Sequence, residues 1–195
     1  MRVAIHPTAP NLGCCFIVNK RPLLFCVFIK ALIVMPKQCR ACEVESPTPE
    51  TTLEFGRLLG SLLRSGDVVG LIGELGAGKT WFTKGIALGL DVPRYEYINS
   101  PAYDIIHEYA GKYQVFHMDF YRMELIGAEE YLWLEEYFER EGVCIAEWAE
   151  KFLSNLSETF LTVKIDWNPK TDVRSIRFIG EGDRYATIVA DMEKR

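Results

Sequence analysis

The chain has 195 residues, 49% of them hydrophobic and 25% charged, enough for one substantial core and typical of a soluble domain. Its formal net charge is −5 and it has no run of lysine or arginine, which argues against tight binding to nucleic acid through a broad basic face. Five of its six cysteines (Cys14, Cys15, Cys26, Cys39, Cys42) come before residue 46 and only Cys144 follows, a distribution unlike a disulfide framework and expected in a reducing cytoplasm.

Residues 1–45 do not resemble the rest and read as an N-terminal extension ahead of a domain over residues 46–195. Residues 23–35 are apolar and follow Lys20 and Arg21, but Lys30 interrupts them and the run is short for a bilayer, so no membrane span is expected. A signal peptide would share the basic start and apolar middle, yet no small-x-small cleavage site follows. The preferred reading takes Met35 as the translation start, because a secreted nucleotide enzyme would be cut off from its nucleotide. Cys39 and Cys42 have C-x-x-C spacing but no second pair and no nearby histidine; a solvent-exposed tail is preferred to a zinc or redox site.

From Ser46 the pattern becomes regular. Thr48, Pro49 and Glu50 supply a cap, a proline and an acid where a helix should start, and Leu53, Phe55, Leu58, Leu59, Leu62 and Leu63 recur at helical spacing through Arg64. Residues 68–72 read as a buried strand and residues 81–90 as a helix. After a loop over 92–101, residues 105–109 and 114–118 read as a hairpin around a Gly111-Lys112 turn. A helix is predicted over 131–140, a buried strand over 143–146, and strands over 159–166, 174–179 and 185–189. Helices alternating with strands predict an α/β fold, a three-layer P-loop NTPase-like domain with a mostly parallel central sheet and a strand-rich C-terminal part.

Residues 73–80, G-E-L-G-A-G-K-T, fit the phosphate-loop pattern G-x-x-x-x-G-K-[ST] at every position, between a strand and a helix as that motif requires. Gly73, Gly76 and Gly78 open backbone angles that turn N–H groups inward on phosphate oxygens, and the following helix adds its positive end. Lys79 can reach terminal phosphates and the Thr80 hydroxyl can ligate Mg²⁺. These features predict a nucleoside triphosphate site. Val143-Cys-Ile-Ala-Glu147 ends an apolar strand in a carboxylate able to hold Mg²⁺ and orient water. Trp148 after it is read as core or as nucleotide surroundings, with core preferred. His117, Asp119 and Tyr121 alternate along one face of a strand, with Arg122 behind. Asp119 reaching metal or γ-phosphate and Arg122 neutralising phosphate is one reading; a hydrogen-bonded structural cluster is the other, and spacing leaves both open.

Taken in order, the Gly-x-Leu-Gly-Ala-Gly-Lys-Thr loop, a Ser-Pro segment about twenty residues on, His-x-Asp-x-Tyr-Arg, and an apolar strand ending Glu-Trp resemble the TsaE (YjeE) family from Ser46 to the C-terminus. That resemblance implies a small Mg²⁺-dependent ATPase of tRNA threonylcarbamoyladenosine (t6A) formation. Its partners would be TsaD and TsaB, with TsaC in the same pathway and tRNA reached only indirectly. It further implies ATP phosphates on Leu75, Gly76, Ala77, Gly78, Lys79 and Thr80, and Mg²⁺ near Thr80 and Glu147. Catalysis would fall to Lys79, Asp119 and Glu147, Trp148 would lie near the nucleotide, Thr51 and the helix start near the base, and Arg174 would help enclose it. One departure stands out. The family usually has Ser-Pro-Thr where this chain has Ser100-Pro101-Ala102, and a methyl group can neither ligate metal nor donate to phosphate.

Three other classes compete with this reading. A small GTPase needs D-x-x-G and [NT]-K-x-D after the loop, and neither occurs downstream of Thr80. A small-molecule kinase needs an acceptor pocket and an arginine-bearing lid, which the short C-terminal third does not supply. A non-catalytic, nucleotide-dependent scaffold stays open because of Ala102.

Overall fold

Val68-Val-Gly-Leu-Ile has no polar face because both of its faces are covered, and it sits in the middle of the sheet. The computed structural model describes residues 39–123, 127–151 and 159–194. In chain order the elements are β1 (Cys39–Ser46), α1 (Pro49–Leu62), β2 (Val68–Ile72), α2 (Lys79–Gly89), β3 (Ile106–Ala110), β4 (Gln114–Asp119), α3 (Ala128–Glu139), β5 (Val143–Glu147), β6 (Leu161–Trp167), β7 (Arg174–Glu181) and α4 (Gly182–Glu193). Single 3-10 turns occupy Tyr95–Tyr97 and Ala149–Lys151. Among the described residues no helix is long and apolar enough to cross a membrane; the apolar run at 23–35 lies outside them.

The strands form a seven-stranded sheet in the order β1-β7-β6-β2-β5-β4-β3. The central four, β6-β2-β5-β4, pair in parallel, while β7, β1 and β3 add antiparallel flanks. Alternate residues of each central strand feed opposite cores. Val69, Leu71 and Ile145 pack with Leu59 of α1, Phe82 and Ile86 of α2 and Ile188 of α4. Val68, Cys144 and Ala146 pack with Phe116, Met118 and Leu134 of α3. Helices therefore cover both faces, giving the three layers expected.

Helix α1 starts where the sequence predicts: Thr48 Oγ1 accepts the Thr51 N–H at 3.2 Å, and Pro49 fills the first helical position, where no amide is needed. It crosses α2 at a glycine contact. A Cβ on Gly85 would lie 2.2 Å from the Leu53 carbonyl and 2.9 Å from Gly56 Cα, so only hydrogen fits there. This crossing holds the start of α1 against the start of α2, beside the phosphate loop.

Two expectations need correction. The extension does not run to residue 45. Cys39–Ser46 is strand β1, paired with β7 along its whole length from Cys39↔Glu181 to Ser46↔Arg174, and Cys42 and Val44 pack against the core. Cys39 and Cys42 are thus three residues apart on a strand and point to opposite faces; the Cys42 thiol reaches the Val189 carbonyl at 3.8 Å while Cys39 is exposed. They are part of the sheet rather than a free tail, and cannot share one metal. The second correction concerns residues 185–189, which are helical. Tyr185, Ile188, Val189 and Met192 are buried at i, i+3, i+4 and i+7, a helical stripe that outweighs the β-branched residues in the run. Arg184 ties this helix to the entry of β2 through Asp67, with Nε to Oδ1 at 3.0 Å and Nη2 to Oδ2 at 2.5 Å, and the Tyr185 hydroxyl accepts the Val68 N–H at 3.0 Å.

Candidate active site

Three parallel strands end side by side on the sheet edge where α/β folds bind ligands. β2 runs into the phosphate loop, β5 ends at Glu147 and β4 ends at Asp119; Asp119 pairs with Glu147 and Leu71 with Glu147 in the ladder. Strand order alone therefore sets two carboxylates against Lys79 and Thr80. Around them is a cleft of about 360 Å³, lined by Leu75, Gly76, Gly78, Lys79 and Thr80 on one side and by Ser100, Ala102, Asp119, Glu147 and Trp148 on the other.

The loop is held by backbone geometry. Gly73 has φ 153°, and a Cβ there would meet the Ile165 carbonyl at 2.3 Å, so the loop can pass over β6 only as glycine. At Gly78 the chain is left-handed (φ 110°) and turns into α2 with no side-chain cap, leaving the first amides of the helix facing the cleft. Lys79 is 5% exposed. Its ammonium donates to Gly73 O at 2.6 Å and Glu74 O at 3.0 Å and lies 3.9 Å from the Trp148 ring centre. Burial lowers its pKa, against the opposing pull of Glu147, Glu150, Asp119 and Glu74. Such an ammonium gains from an anion in the cleft.

Glu147 is buried, and its two oxygens are differently held. Oε2 accepts from Thr80 Oγ1 at 3.0 Å, and Oε1 lies 2.9 Å from His117 Nε2 and 3.5 Å from Thr83 Oγ1. Thr80 hydroxyl and Glu147 carboxylate thus lie together at the cleft floor, hard oxygen donors of the kind Mg²⁺ takes. Asp119 accepts from Ser100 Oγ on one oxygen and from the Tyr121 N–H at 2.8 Å on the other. β4 stops at Asp119, so Tyr121 does not continue the strand face but turns its ring against Trp148, 5.0 Å between centres. Arg122 also lines the cleft, with its guanidinium 4.1 Å over the Tyr103 ring and Nη2 donating to the Tyr103 hydroxyl at 2.9 Å. Trp148 packs against the α3-side core and also lines the cleft. Its backbone is left-handed (φ 59°), uncommon for so large a side chain, and this sharp turn after β5 accompanies the indole's position over Lys79.

Ala77, Thr51 and Arg174 lie apart from this cleft. Ala77 is buried in the core beneath the loop, and Thr51 Oγ1 bonds Thr48 Oγ1 at 3.2 Å in the α1 cap. Arg174 donates from Nε to Ala77 O at 3.1 Å and lines a second cavity of about 380 Å³ with Pro49, Glu50, Gly78 and Trp81. Both cavities share Gly78 and Trp81. Trp81 is the residue that motif reading passed over, because it falls inside a helix-competent run. Its ring is 38% exposed and Nε1 donates to Pro49 O at 2.5 Å. A bulky aromatic directly after the Lys-Thr pair was the available signal.

The family model described as "Threonylcarbamoyl adenosine biosynthesis protein TsaE" matches residues 43–176. The chain belongs to the TsaE family. It is 41% identical over 147 residues to the tRNA threonylcarbamoyladenosine biosynthesis protein TsaE of Bacillus subtilis (strain 168), covering 75% of this chain and 90% of that protein. The protein of the same name from Treponema pallidum is 35% identical over 143 residues, covering 73% and 96%. The crystal structure of Bacillus subtilis YdiB superposes with a TM-score of 0.65 at 34% identity, covering 80% of this chain and 97% of that one. As a TsaE-family member the chain belongs to a group of t6A biosynthesis proteins with a P-loop NTPase-like fold.

Proposed function

We propose that this protein binds and hydrolyses ATP with Mg²⁺ in the cleft over Lys79, and that hydrolysis resets a TsaD–TsaB transferase during t6A formation. TsaC would act in the same cytoplasmic pathway, and tRNA would be met only through the partners, in keeping with a net charge of −5. The observation that carries the reading is the convergence of Lys79, Thr80, Asp119 and Glu147 on one cleft beside a glycine loop.

Loop amides and Lys79 bind and orient the β- and γ-phosphates; the ammonium, already buried, offsets their charge without having to be desolvated again. Thr80 and Glu147 would hold Mg²⁺, which would supply positive charge against the phosphates. Asp119 is fixed on both oxygens and faces the same space, so it can orient the attacking water. Trp148 and Tyr121 wall the reacting end and limit water. The second cavity, apolar along Pro49 and Trp81 with Arg174 at its edge, suits the nucleoside part, because it adjoins the loop at Gly78.

The test combines mixing and mutation. With TsaD–TsaB present, Glu147→Gln should still bind ATP but hydrolyse it at least tenfold more slowly, since the amide keeps the shape and loses the charge. Hydrolysis at the wild-type rate would remove Glu147 from catalysis, and no ATP-dependent association with TsaD–TsaB would remove the partner assignment. A non-catalytic scaffold is the second reading, favoured by the methyl of Ala102 in the cleft wall; an assembly that associates with ATP yet never turns it over would support it.

A further inference from the structure

His117 is a fully buried polar side chain for which the proposed chemistry has so far no use. It lies two residues before Asp119 on β4, hence on the same face of the strand, at 0% exposure. Its Nε2 is 2.9 Å from Glu147 Oε1, and Nδ1 has no hydrogen-bond partner among the described residues. Buried imidazoles kept for packing ordinarily satisfy both nitrogens. Among the described residues this one has a single polar contact, the carboxylate at the tip of β5. An ionised carboxylate only accepts, so Nε2 is the donor in this contact.

We propose that His117 is a positioning residue for the metal-holding carboxylate, a role that rests on the ATPase reading above. A glutamate side chain has three rotatable bonds, and without a fixed partner its oxygens would share the cleft floor among several rotamers. His117 grips Oε1 from the buried side, which turns Oε2 toward Thr80 Oγ1, 3.0 Å away. Thr83 is a weaker holder. Its hydroxyl lies 3.5 Å from Oε1 and is already committed to the Lys79 carbonyl at 3.1 Å. The imidazole, by contrast, has no competing partner among the described residues and is fully buried. β4 and β5 set this geometry by register, since His117 pairs with Ile145, two residues before Glu147. Groups that orient a metal ligand in this way are worth roughly 10- to 100-fold in metal affinity.

The experiment is a calorimetric titration of the full chain with a non-hydrolysable ATP analogue, in EDTA and across a Mg²⁺ series. His117→Leu fills similar space without a donor, while His117→Gln puts an amide N–H near the place of Nε2. His117→Leu should bind the analogue within about twofold of wild type in EDTA but need roughly tenfold more Mg²⁺ to reach the midpoint of its Mg²⁺-dependent gain. His117→Gln should restore the wild-type midpoint to within about threefold. A structural role would lower thermal stability in both variants and leave the Mg²⁺ midpoint alone. An unmoved midpoint in His117→Leu, or a midpoint in His117→Gln shifted as far as in His117→Leu, overturns the proposal. If His117→Leu does not fold, His117→Asn replaces it: its amide is one methylene too short to reach Oε1, so a shifted midpoint in Asn but not Gln supports the role, and equal midpoints overturn it. Wild-type protein that binds no analogue at all overturns the ATPase reading itself, and this proposal with it.

Discussion

Lys79→Met separates what the lysine does for the fold from what it does for the ligand. Methionine keeps the long unbranched stem and removes the ammonium. In the folded protein Lys79 is 5% exposed, its pKa is lowered by burial, and its ammonium is compensated by two loop carbonyls at 2.6 and 3.0 Å and one indole face at 3.9 Å. Removing it relieves the buried charge and forfeits those contacts. The stripped carbonyls of Gly73 and Glu74 border space that water can enter, so stability without ligand should change by no more than about 1 kcal/mol. Binding has no such offset. A phosphate that loses a charge-assisted donor in a partly desolvated loop loses about 2–3 kcal/mol, or roughly 30- to 150-fold in affinity. Calorimetry with a non-hydrolysable ATP analogue measures the second quantity and thermal unfolding of the unliganded protein the first. Affinity within threefold of wild type would refute the phosphate role of Lys79. Intact affinity loss accompanied by a Tm drop beyond about 5 °C would show instead that the two carbonyl bonds hold the loop together.

Other expectations follow from the same geometry. Gly85→Ala forces a methyl to 2.2 Å from a backbone carbonyl that no rotamer change can relieve, so it should cost about 1–3 kcal/mol and lower Tm by roughly 3–10 °C; an unchanged Tm would refute the tight α1–α2 crossing. Ala102→Thr adds a hydroxyl to the cleft wall at a stability change within about 0.5 kcal/mol and should raise ATPase rate with TsaD–TsaB; no increase means Ser100, already bonded to Asp119, fills that role. A chain beginning at Pro36 keeps β1 and one beginning at Pro47 lacks it, so the shorter should unfold at least 5 °C lower; equal Tm values would mean that β1 adds nothing to the sheet.

The parts of the molecule legible in the sequence are those whose physics is local. Gly73 to Thr80 carries its own loop geometry, Thr48 and Pro49 their own helix start, and Val143 to Ala146 the unbroken apolarity of a strand covered on both faces. What escaped reading depends on partners distant in sequence. Cys39–Ser46 alternates too weakly to announce a strand, and becomes one because β7 offers an unpaired edge more than 120 residues later. Residues 185–189 are rich in strand-forming types, yet the buried stripe extends to Met192, which a five-residue window cannot see. Within the site, Glu147 was recognisable as a strand-end carboxylate. That His117 grips it was not, since the pairing arises from the β4–β5 register. Trp81 and Arg174 line the second cavity together because β7 starts beside the loop, where Arg174 Nε donates to Ala77 O.

The segment from Ser100 to Ile105 is joined to Asp119 of β4 at both ends, by its side chain at one and its backbone N–H at the other. Ser100 Oγ bonds the Asp119 side chain, and the Asp119 N–H donates to Ile105 O at 3.0 Å. Ile105 is left-handed at φ 67°, costly for a β-branched residue by about 1–3 kcal/mol, and its N–H donates to Pro101 O at 2.6 Å. Between them Tyr103 is 82% exposed, held by the Arg122 guanidinium stacked on its ring. Exchanging one of these contacts would release part of what holds the costly backbone at Ile105 in place. The Ser100–Asp119 bond is the one exposed to exchange, because both groups line the cleft that phosphate and metal would enter. A ligand that took over the Ser100–Asp119 bond would therefore act on the segment carrying the exposed Tyr103, with β4, buried along all but its first residue, as the fixed frame.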